Sequence, residues 1–462
     1  MTATPSIVIV GLGPGDPGLR TVGTQQILDV ADRIILRTRV HPGLEDLKDD
    51  PRVSDCDDLY AAAADFDELY PAIAARVIET AIESGSVVFA VPGHPRIGER
   101  SVPMVESSAR GAGIPVDVRT AVSFVDAVIS EAGTDPLVNG MQIADAENLA
   151  LAVESEPFSA GQLGIDPARG LLIGQIYNRH LASSVKIALG RLFPDDHPVL
   201  VVTAASAPDA AAAVAQVRLH ELDRIAANHL TSAIVPPLPS LEAFGSADTL
   251  TRIVARLRAP GGCPWDRTQT HTSLRDSILE EAYETVDAID AGDAAGLMEE
   301  LGDLSLLVAM HAQLAEEDGT FRIEDVFAGI SRKLIRRHPH VFGDVEAVTS
   351  AAVIATWEEV KAAERRSTGT PEARHPVDAL PRSMPALRKV VEVFAPRTTL
   401  HGPPDDQTGQ ALLAATRHLI EQGIDPERAL ERALRSSVEL PQTFSTKASA
   451  GPAANDRGEG AA

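Results

Sequence analysis

Short apolar runs and longer stretches of helical period alternate along the first half of the chain. Ser6-Ile-Val-Ile-Val10 is a strand-length apolar run that passes directly into Gly11-Leu-Gly-Pro-Gly-Asp16, a tight loop. Further runs at 33–36, 86–90, 116–119, 170–173 and 198–203 predict strands, and helical patterns at 24–32, 70–83 and 122–131 fall between them. Strands alternating with helices predict an α/β domain that closes near Ile234-Val-Pro-Pro-Leu-Pro239. The alanine runs at 61–64 and 210–213 sit inside helical patterns. From about Thr249 the strand pattern stops, and helical patterns at 250–257, 273–290, 294–316, 323–337 and 350–365 predict an all-α second domain. The expected layout is an α/β domain over 1–240, a helical domain over 249–366 and a Pro/Ser/Thr/Gly-rich linker over 367–384. A helical extension over 385–446, with helices at 408–421 and 426–436, and a disordered tail over 447–462 complete it.

Composition narrows the class. A chain of 462 residues is too long for one ordinary core, and 44% hydrophobic content with 4% aromatics implies cores of Ala, Val, Leu and Ile. A formal charge of −25 argues against general nucleic-acid binding, which draws its affinity from Lys and Arg on phosphates. A small anionic ligand is still compatible with it, because a local basic patch or a bound cation reverses the field nearby. Two cysteines, Cys56 and Cys263, give neither a disulfide framework nor zinc spacing. No charged segment followed by an apolar run opens the chain, and no stretch approaches the roughly 18 apolar residues of a membrane span. A cytoplasmic protein without a membrane partner is expected.

The stretch richest in chemistry is Leu279-Glu-Glu-Ala-Tyr-Glu284, followed after a break by Glu299-Glu-Leu-Gly-Asp303. At about 100° per residue, with Glu280 at zero, Glu284 falls near 40°, Glu281 near 100° and Asp287 near −20°. Ile278, Ala282, Val286 and Ile289 occupy the opposite side, so the helix has one acidic and one apolar face. Gly292-Asp-Ala-Ala-Gly296 allows an antiparallel return. The second helix is apolar nearly all round after Asp303, the mark of a buried helix, and Glu300 and Asp303 share the face of Leu304, Leu307 and His311. A charged helical face is usually only a solvated face. Here, however, two acidic faces meet across a short turn, and no Lys or Arg lies between 276 and 321. Carboxylates beside a buried surface need a counter-ion, and a hard divalent cation takes oxygen ligands.

A basic helix follows. Lys333, Arg336 and Arg337 fall on one side of Ser331–His338, which suits either a triphosphate clamp or a cation-rich helix C-terminus stopped by Pro339. His311, His338 and His340 lack cysteine partners and zinc spacing and read as packing histidines.

Gly261-Gly-Cys-Pro-Trp-Asp266, Gln269-Thr-His271, Leu279-Glu-Glu-Ala-Tyr-Glu284, Glu300-Leu-Gly-Asp303, Arg336-Arg-His-Pro-His-Val-Phe342 and Trp357-Glu-Glu-Val-Lys361 stand in one order. In that order they resemble the MazG family of all-α nucleoside triphosphate pyrophosphohydrolases, over about 250–400. The resemblance implies that Glu281, Glu284, Glu300 and Asp303 ligate Mg²⁺, with Glu280 in the outer shell or orienting water. It also implies that Lys333, Arg337, Trp357 and Lys361 contact the nucleotide, that water attacks the α-phosphorus, and that the protein is a homodimer. Ser277 departs from the family, which often has Tyr there.

The N-terminal loop matches a dinucleotide fingerprint poorly, since Asp16 stands where the third glycine belongs. Val10-Gly-Leu-Gly-Pro-Gly-Asp-Pro-Gly-Leu19, Ala31-Asp32, Val91-Pro-Gly-His-Pro95 and Val122-Ser-Phe124 resemble instead the tetrapyrrole methylase family, over about 6–240. That resemblance implies two α/β subdomains with S-adenosylmethionine in the cleft between them, contacted by Pro14, Gly93, His94 and Ser123. Two departures stand out: Pro92-Gly93-His94-Pro95 replaces Gly-Gly-Asp-Pro, and Thr120-Ala121 replaces the Pro-Gly before the later serine. Two functional readings remain, a bifunctional enzyme and a hydrolase regulated by a non-catalytic small-molecule sensor. A third, a scaffold with a merely solvated acidic hairpin, fits the carboxylate quartet and its basic complement less well. The segment 408–436 lacks paired acids and reads as structural or dimer-forming.

Overall fold

The computed structural model describes residues 5–138, 140–155, 163–206, 212–343, 376–394 and 406–437, with single positions at 349, 353, 360 and 364. The chain forms two compact units, Met1–Val326 and Phe327–Ala462.

In the first unit, β1 (Ser6–Gly11), β2 (Ile34–Leu36), β3 (Val53–Asp55), β4 (Ser86–Val91) and β5 (Val116–Val118) form a sheet of order β3-β2-β4-β1-β5, parallel throughout. Val87–Val91 of β4 is buried along its whole length, as expected of a parallel strand covered on both faces. Helices α1 (Val22–Val30), α2 (Asp57–Ala62), α3 (Phe66–Ser84) and α4 (Ser101–Gly111) connect these strands. Helix α5 (Phe124–Ala132) leads to the second lobe, whose sheet β6-β7-β10-β8-β9 is mixed. Its strands are β6 (Gln142–Asp145), β7 (Leu171–Gly174), β8 (Pro198–Thr203), β9 (Ala213–Arg218) and β10 (Thr231–Val235). The β6/β7 pair is parallel and the remaining pairs are antiparallel. Helices α6 (Ala146–Ser155) and α7 (Arg179–Leu189) pack on it through Leu149, Leu181, Val185 and Leu189.

The loops that follow β1 and β4 lie side by side at the C-terminal edge of the first sheet. Gly93 N–H donates to Gly13 O (2.9 Å) and Gly13 N–H to Gly93 O (3.3 Å). A Cβ at Gly11 would come within 2.2 Å of Gly93 O and 2.5 Å of Ala121 Cβ, so only glycine permits this approach.

The helical part of the first unit holds α8 (Ala247–Arg258), α9 (Pro264–Thr268), α10 (Arg275–Ala291) and α11 (Ala294–Glu317). Val254, Leu274, Leu307, Met310 and Leu314 form its small core, and Arg258 closes it through a 2.7 Å ion pair with Glu317. Asp293 caps α11, accepting from the N–H groups of Ala295 and Gly296 at 3.1 Å each. Helix α12 (Ile323–Arg337) runs into the second unit, which also holds α13 (Pro339–Phe342) and helices Ala386–Phe394, Asp406–Glu421 and Pro426–Ser437. Buried Lys389 is satisfied there by Arg382 O (3.0 Å) and Glu431 (3.1 Å).

Several expectations need correction. Strands β3, β6, β9 and β10 carried no strand prediction, and Ala213, expected in a helix, begins β9. Ala63 and Ala64 lie beyond the end of α2. Helix α10 has the expected apolar side, but among the described residues Ile278, Val286 and Ile289 on it are 39%, 50% and 56% exposed. Helix α11 is buried only in its second half, and Leu301 and Val308 face out. Within the expected linker, Pro376–Ala379 forms a 3₁₀ turn with Val377 buried. Of the helix expected over 350–365, only three positions are described.

Candidate functional site

Helices α10 and α11 pair as an antiparallel hairpin, turned at Gly292 and Asp293, so the acids of one helix face those of the other. Glu281 and Glu284 are one turn apart on α10, and Glu300 enters from α11. One carboxylate oxygen from each lies within 4.8 Å of the others, and this is the metal-competent group found among the described residues. Asp303, expected as a fourth ligand and one turn beyond Glu300 on α11, is not in that three-residue group and acts on Glu281 and Glu300 through its charge. Partial burial, and then the charges of Asp303, Glu284 and Glu300, raise the Glu281 carboxyl above its ordinary range. Glu300 is raised in the same way, by burial and then by Glu284, Glu299 and Asp303. Glu280 is exposed on the flank of α10.

Two histidines close one end of this region. His271 and His311 stack with ring centroids 5.1 Å apart at 8°, and their Nδ1 atoms are 2.8 Å apart. Burial, and then His271, lowers the His311 pKa.

Lys333 and Arg337 belong to the second unit, near the end of α12, and Lys333 is exposed. Arg337 donates to Glu364 (Nη2 to Oε2, 2.6 Å), as does Arg336 (Nε to Oε1, 2.7 Å). The two guanidiniums, Arg337 foremost, hold the Glu364 carboxyl at about 2. Trp357 and Lys361 lie outside the described residues.

A second candidate site is a cavity of about 290 Å³ within the α/β part, at the C-terminal edge of the first sheet. Pro14 and Gly93 line it. His94 stands beside it, its Nδ1 accepting from Arg96 N–H at 3.0 Å. Ser123 is buried as the cap of α5, where Oγ donates to Asp126 Oδ2 (2.6 Å) and accepts from Asp126 N–H (3.3 Å). Sequence reasoning missed most of the wall: the Arg37–Glu99 ion pair (3.0 Å), the Arg100–Glu147 ion pair (3.0 Å) and the tyrosines near them. These residues come from separate segments with no common motif, and the scarcity of tyrosine in the chain was the only signal.

A family model described as the MazG nucleotide pyrophosphohydrolase domain matches residues 269–342. One described as tetrapyrrole (corrin/porphyrin) methylases matches residues 6–223. The chain is 38% identical over 390 residues to the protein YabN of Bacillus subtilis (strain 168), covering 84% of this chain and 76% of that one. It is 46% identical over 147 residues to the nucleoside triphosphate pyrophosphohydrolase of Escherichia coli (strain K12), covering 32% of this chain and 55% of that one. To the nucleoside triphosphate pyrophosphohydrolase/pyrophosphatase MazG of Thermotoga maritima it is 48% identical over 118 residues, covering 26% of this chain and 45% of that one. The chain therefore spans about half the length of these two pyrophosphohydrolases.

The raised carboxyls have a definite consequence. A carboxyl whose folded pKa exceeds its unfolded value contributes stability while protonated and loses it as pH rises through the folded pKa. In EDTA, the melting temperature of the wild type relative to Glu281→Gln should therefore fall as the pH rises above the ordinary carboxylate range, about 4. Magnesium chloride should reverse that trend. A difference that is flat with pH and indifferent to magnesium would contradict the coupling.

Proposed function

We propose a function from one premise: the chain belongs to the family in which a tetrapyrrole methylase-like domain precedes a MazG domain. Its helical part hydrolyses nucleoside triphosphates to monophosphate and pyrophosphate. The observation that carries this reading is the convergence of Glu281, Glu284 and Glu300, and the pyrophosphohydrolase relatives support it over the same segment.

The donor set fits a hard divalent cation, because three carboxylate oxygens crowd within 4.8 Å and burial with mutual repulsion disfavours the fully ionised cluster. Glu281, Glu284 and Glu300, with Asp303 beside them, would hold Mg²⁺, which when bound supplies positive charge against the triphosphate oxygens. Exposed Glu280 is assigned to orient the attacking water and accept its proton. The water oxygen bonds to the α-phosphorus, the bond from that phosphorus to the bridging oxygen breaks, and pyrophosphate departs with the electron pair. Lys333, Arg337, Trp357 and Lys361 are assigned to the nucleotide. Arg337 must then exchange the Glu364 carboxylate for a phosphate, a swap its fork geometry allows.

A homodimer belongs to the same reading. Leu279, Tyr283, Val286 and Ile289 of α10 are 48%, 60%, 50% and 56% exposed, an apolar face that a second copy would cover. Among the described residues no helix is long and apolar enough to cross a membrane. The cytoplasm is the proposed compartment, with no nucleic-acid or membrane partner.

In the α/β part, the cavity is proposed to bind S-adenosylmethionine, a carrier of a transferable methyl group. Gly93 fits this, since its φ of +63° and the open space where a Cβ would project leave room for close approach of a ligand. Pro14 and Gly93 would meet the cofactor. His94 and Ser123 already have partners within the fold, which favours a second reading: a non-catalytic sensor that regulates the hydrolase.

Glu284→Gln and Asp303→Asn should each reduce pyrophosphate release roughly 100-fold or more, with circular dichroism unchanged. Full activity in both variants would sink the hydrolase assignment. Sedimentation equilibrium should return twice the chain mass, whereas a single-chain mass at micromolar concentration would leave the α10 face unexplained. Equilibrium dialysis should detect uptake of labelled S-adenosylmethionine, and no uptake removes the cofactor reading.

A further inference from the structure

The cavity of the α/β part carries a pattern of charge and aromatic surface that identifies a second kind of occupant, and the inference rests on the reading of this part as a small-molecule binder. The chain has four tyrosines in 462 residues. Three of them, Tyr60, Tyr70 and Tyr177, line this one cavity. They come from α2, from α3 and from the loop after β7, so local sequence does not explain their meeting. Phe66 stacks on Tyr70 with centroids 5.6 Å apart at 12°. Tyrosine offers a flat apolar face with a polar tip, which suits a planar ligand bearing a few polar atoms.

Charge in the wall is already cancelled. Arg37 lies 3.0 Å from buried Glu99 and donates to Tyr60 Oη at 2.9 Å. Burial works against the Arg37 charge, and Glu99, Tyr60 and Tyr70 outweigh it. The second oxygen of Glu99 is held by Ser101, from N–H at 3.2 Å and from Oγ at 2.6 Å. Arg100 sits 3.0 Å from Glu147 and 3.7 Å from Asp145, and Tyr177 O–H donates to Glu147 at 2.6 Å. His41 is driven by burial to about 4, so it is neutral at physiological pH, and His229 is the other histidine of the wall. Two guanidiniums thus face two carboxylates. A polycarboxylate macrocycle would have to take these cations from their partners, leaving Glu99 buried and unpaired. The volume, about 290 Å³, also lies at the small end of ligand pockets, which run roughly 300–1,000 Å³.

One further observation marks the wall as a built site. Gln175 has φ +63°, a left-handed conformation unusual for a residue with a side chain, and its amide donates to Gly98 O at 2.7 Å. That contact, between two residues of the cavity wall, ties the second lobe to the first.

We infer that this cavity takes a compact, planar aromatic or heteroaromatic molecule without net negative charge, held among Tyr60, Tyr70 and Tyr177, and that it refuses polycarboxylate macrocycles. A matched series on the full chain tests this: indole, tryptamine and indole-3-acetate, with uroporphyrin III as the macrocycle, followed by saturation-transfer NMR and calorimetry. Indole and tryptamine should bind about tenfold or more tighter than indole-3-acetate, the difference set by an uncompensated buried charge. Tyr177→Ala should weaken both. Glu147→Gln, which takes from Arg100 its nearer carboxylate and leaves Asp145 at 3.7 Å, should raise the affinity for indole-3-acetate. Tighter binding of uroporphyrin III or indole-3-acetate than of indole overturns the inference, as do affinities that Tyr177→Ala leaves unchanged. Failure of every ring to bind a chain that takes up labelled S-adenosylmethionine overturns it and leaves the cofactor reading standing. Ring binding without cofactor uptake upholds it and removes the cofactor reading.

Discussion

Carboxylates crowded on two facing helices repel one another, and the chemistry of the helical part depends on how that repulsion is relieved. Glu281, Glu284 and Glu300 offer oxygens within 4.8 Å of each other, and no lysine or arginine lies between 276 and 321 to pair with them. The chain provides the opposing devices: Asp293 caps α11 and fixes its start, and the small core around Leu307 and Met310 clamps the hairpin. Packing therefore holds the acids together against a Coulombic penalty, and protonation partly relieves it, as the raised carboxyls of Glu281 and Glu300 record. In the proposed function a divalent cation relieves it fully, and the same positive charge meets the triphosphate.

The arginines at the end of α12 follow a different logic. Arg336 and Arg337 are already engaged by one carboxylate, Glu364, whose two oxygens match the guanidinium forks. In the α/β part the same economy holds, because Arg37 and Arg100 each carry a carboxylate of their own. Arg37 and Arg100, so paired in the cavity wall, make poor anchors for a highly anionic ligand, because taking Arg37 from Glu99 would leave a buried carboxylate unpaired. They set hydrogen-bond positions and leave the aromatic surfaces to supply contact area.

Much of this was legible in the sequence, and the failures have physical causes. The carboxylate hairpin was readable because its residues are close in sequence and helical geometry is nearly fixed, so spacing brings the two acidic faces together, while the family resemblance picked Glu281, Glu284 and Glu300 from among the acids. Strands β1, β4 and β8 were readable as continuous apolar runs, which parallel or central strands require. Strand β9, Ala213-Val-Ala-Gln-Val-Arg218, was not, because alanine favours helix and an edge strand is held by its pairing with β8. Helix α10 is two-sided, as its sequence shows, yet among the described residues Ile278, Val286 and Ile289 on its apolar side stay exposed, a distinction that periodicity cannot make. The cavity was invisible for another reason: Arg37, Tyr60, Glu99 and Tyr177 are brought together by the topology of two lobes, and no short motif records that.

In the proposed function the carboxylate cluster directs water to the α-phosphorus of a nucleoside triphosphate. The most direct test of that step is ³¹P NMR of the products formed by the full chain from ATP and magnesium in H₂¹⁸O. The account predicts monophosphate and pyrophosphate, with the ¹⁸O label in the monophosphate. Label in the pyrophosphate, or release of orthophosphate with diphosphate, would contradict it.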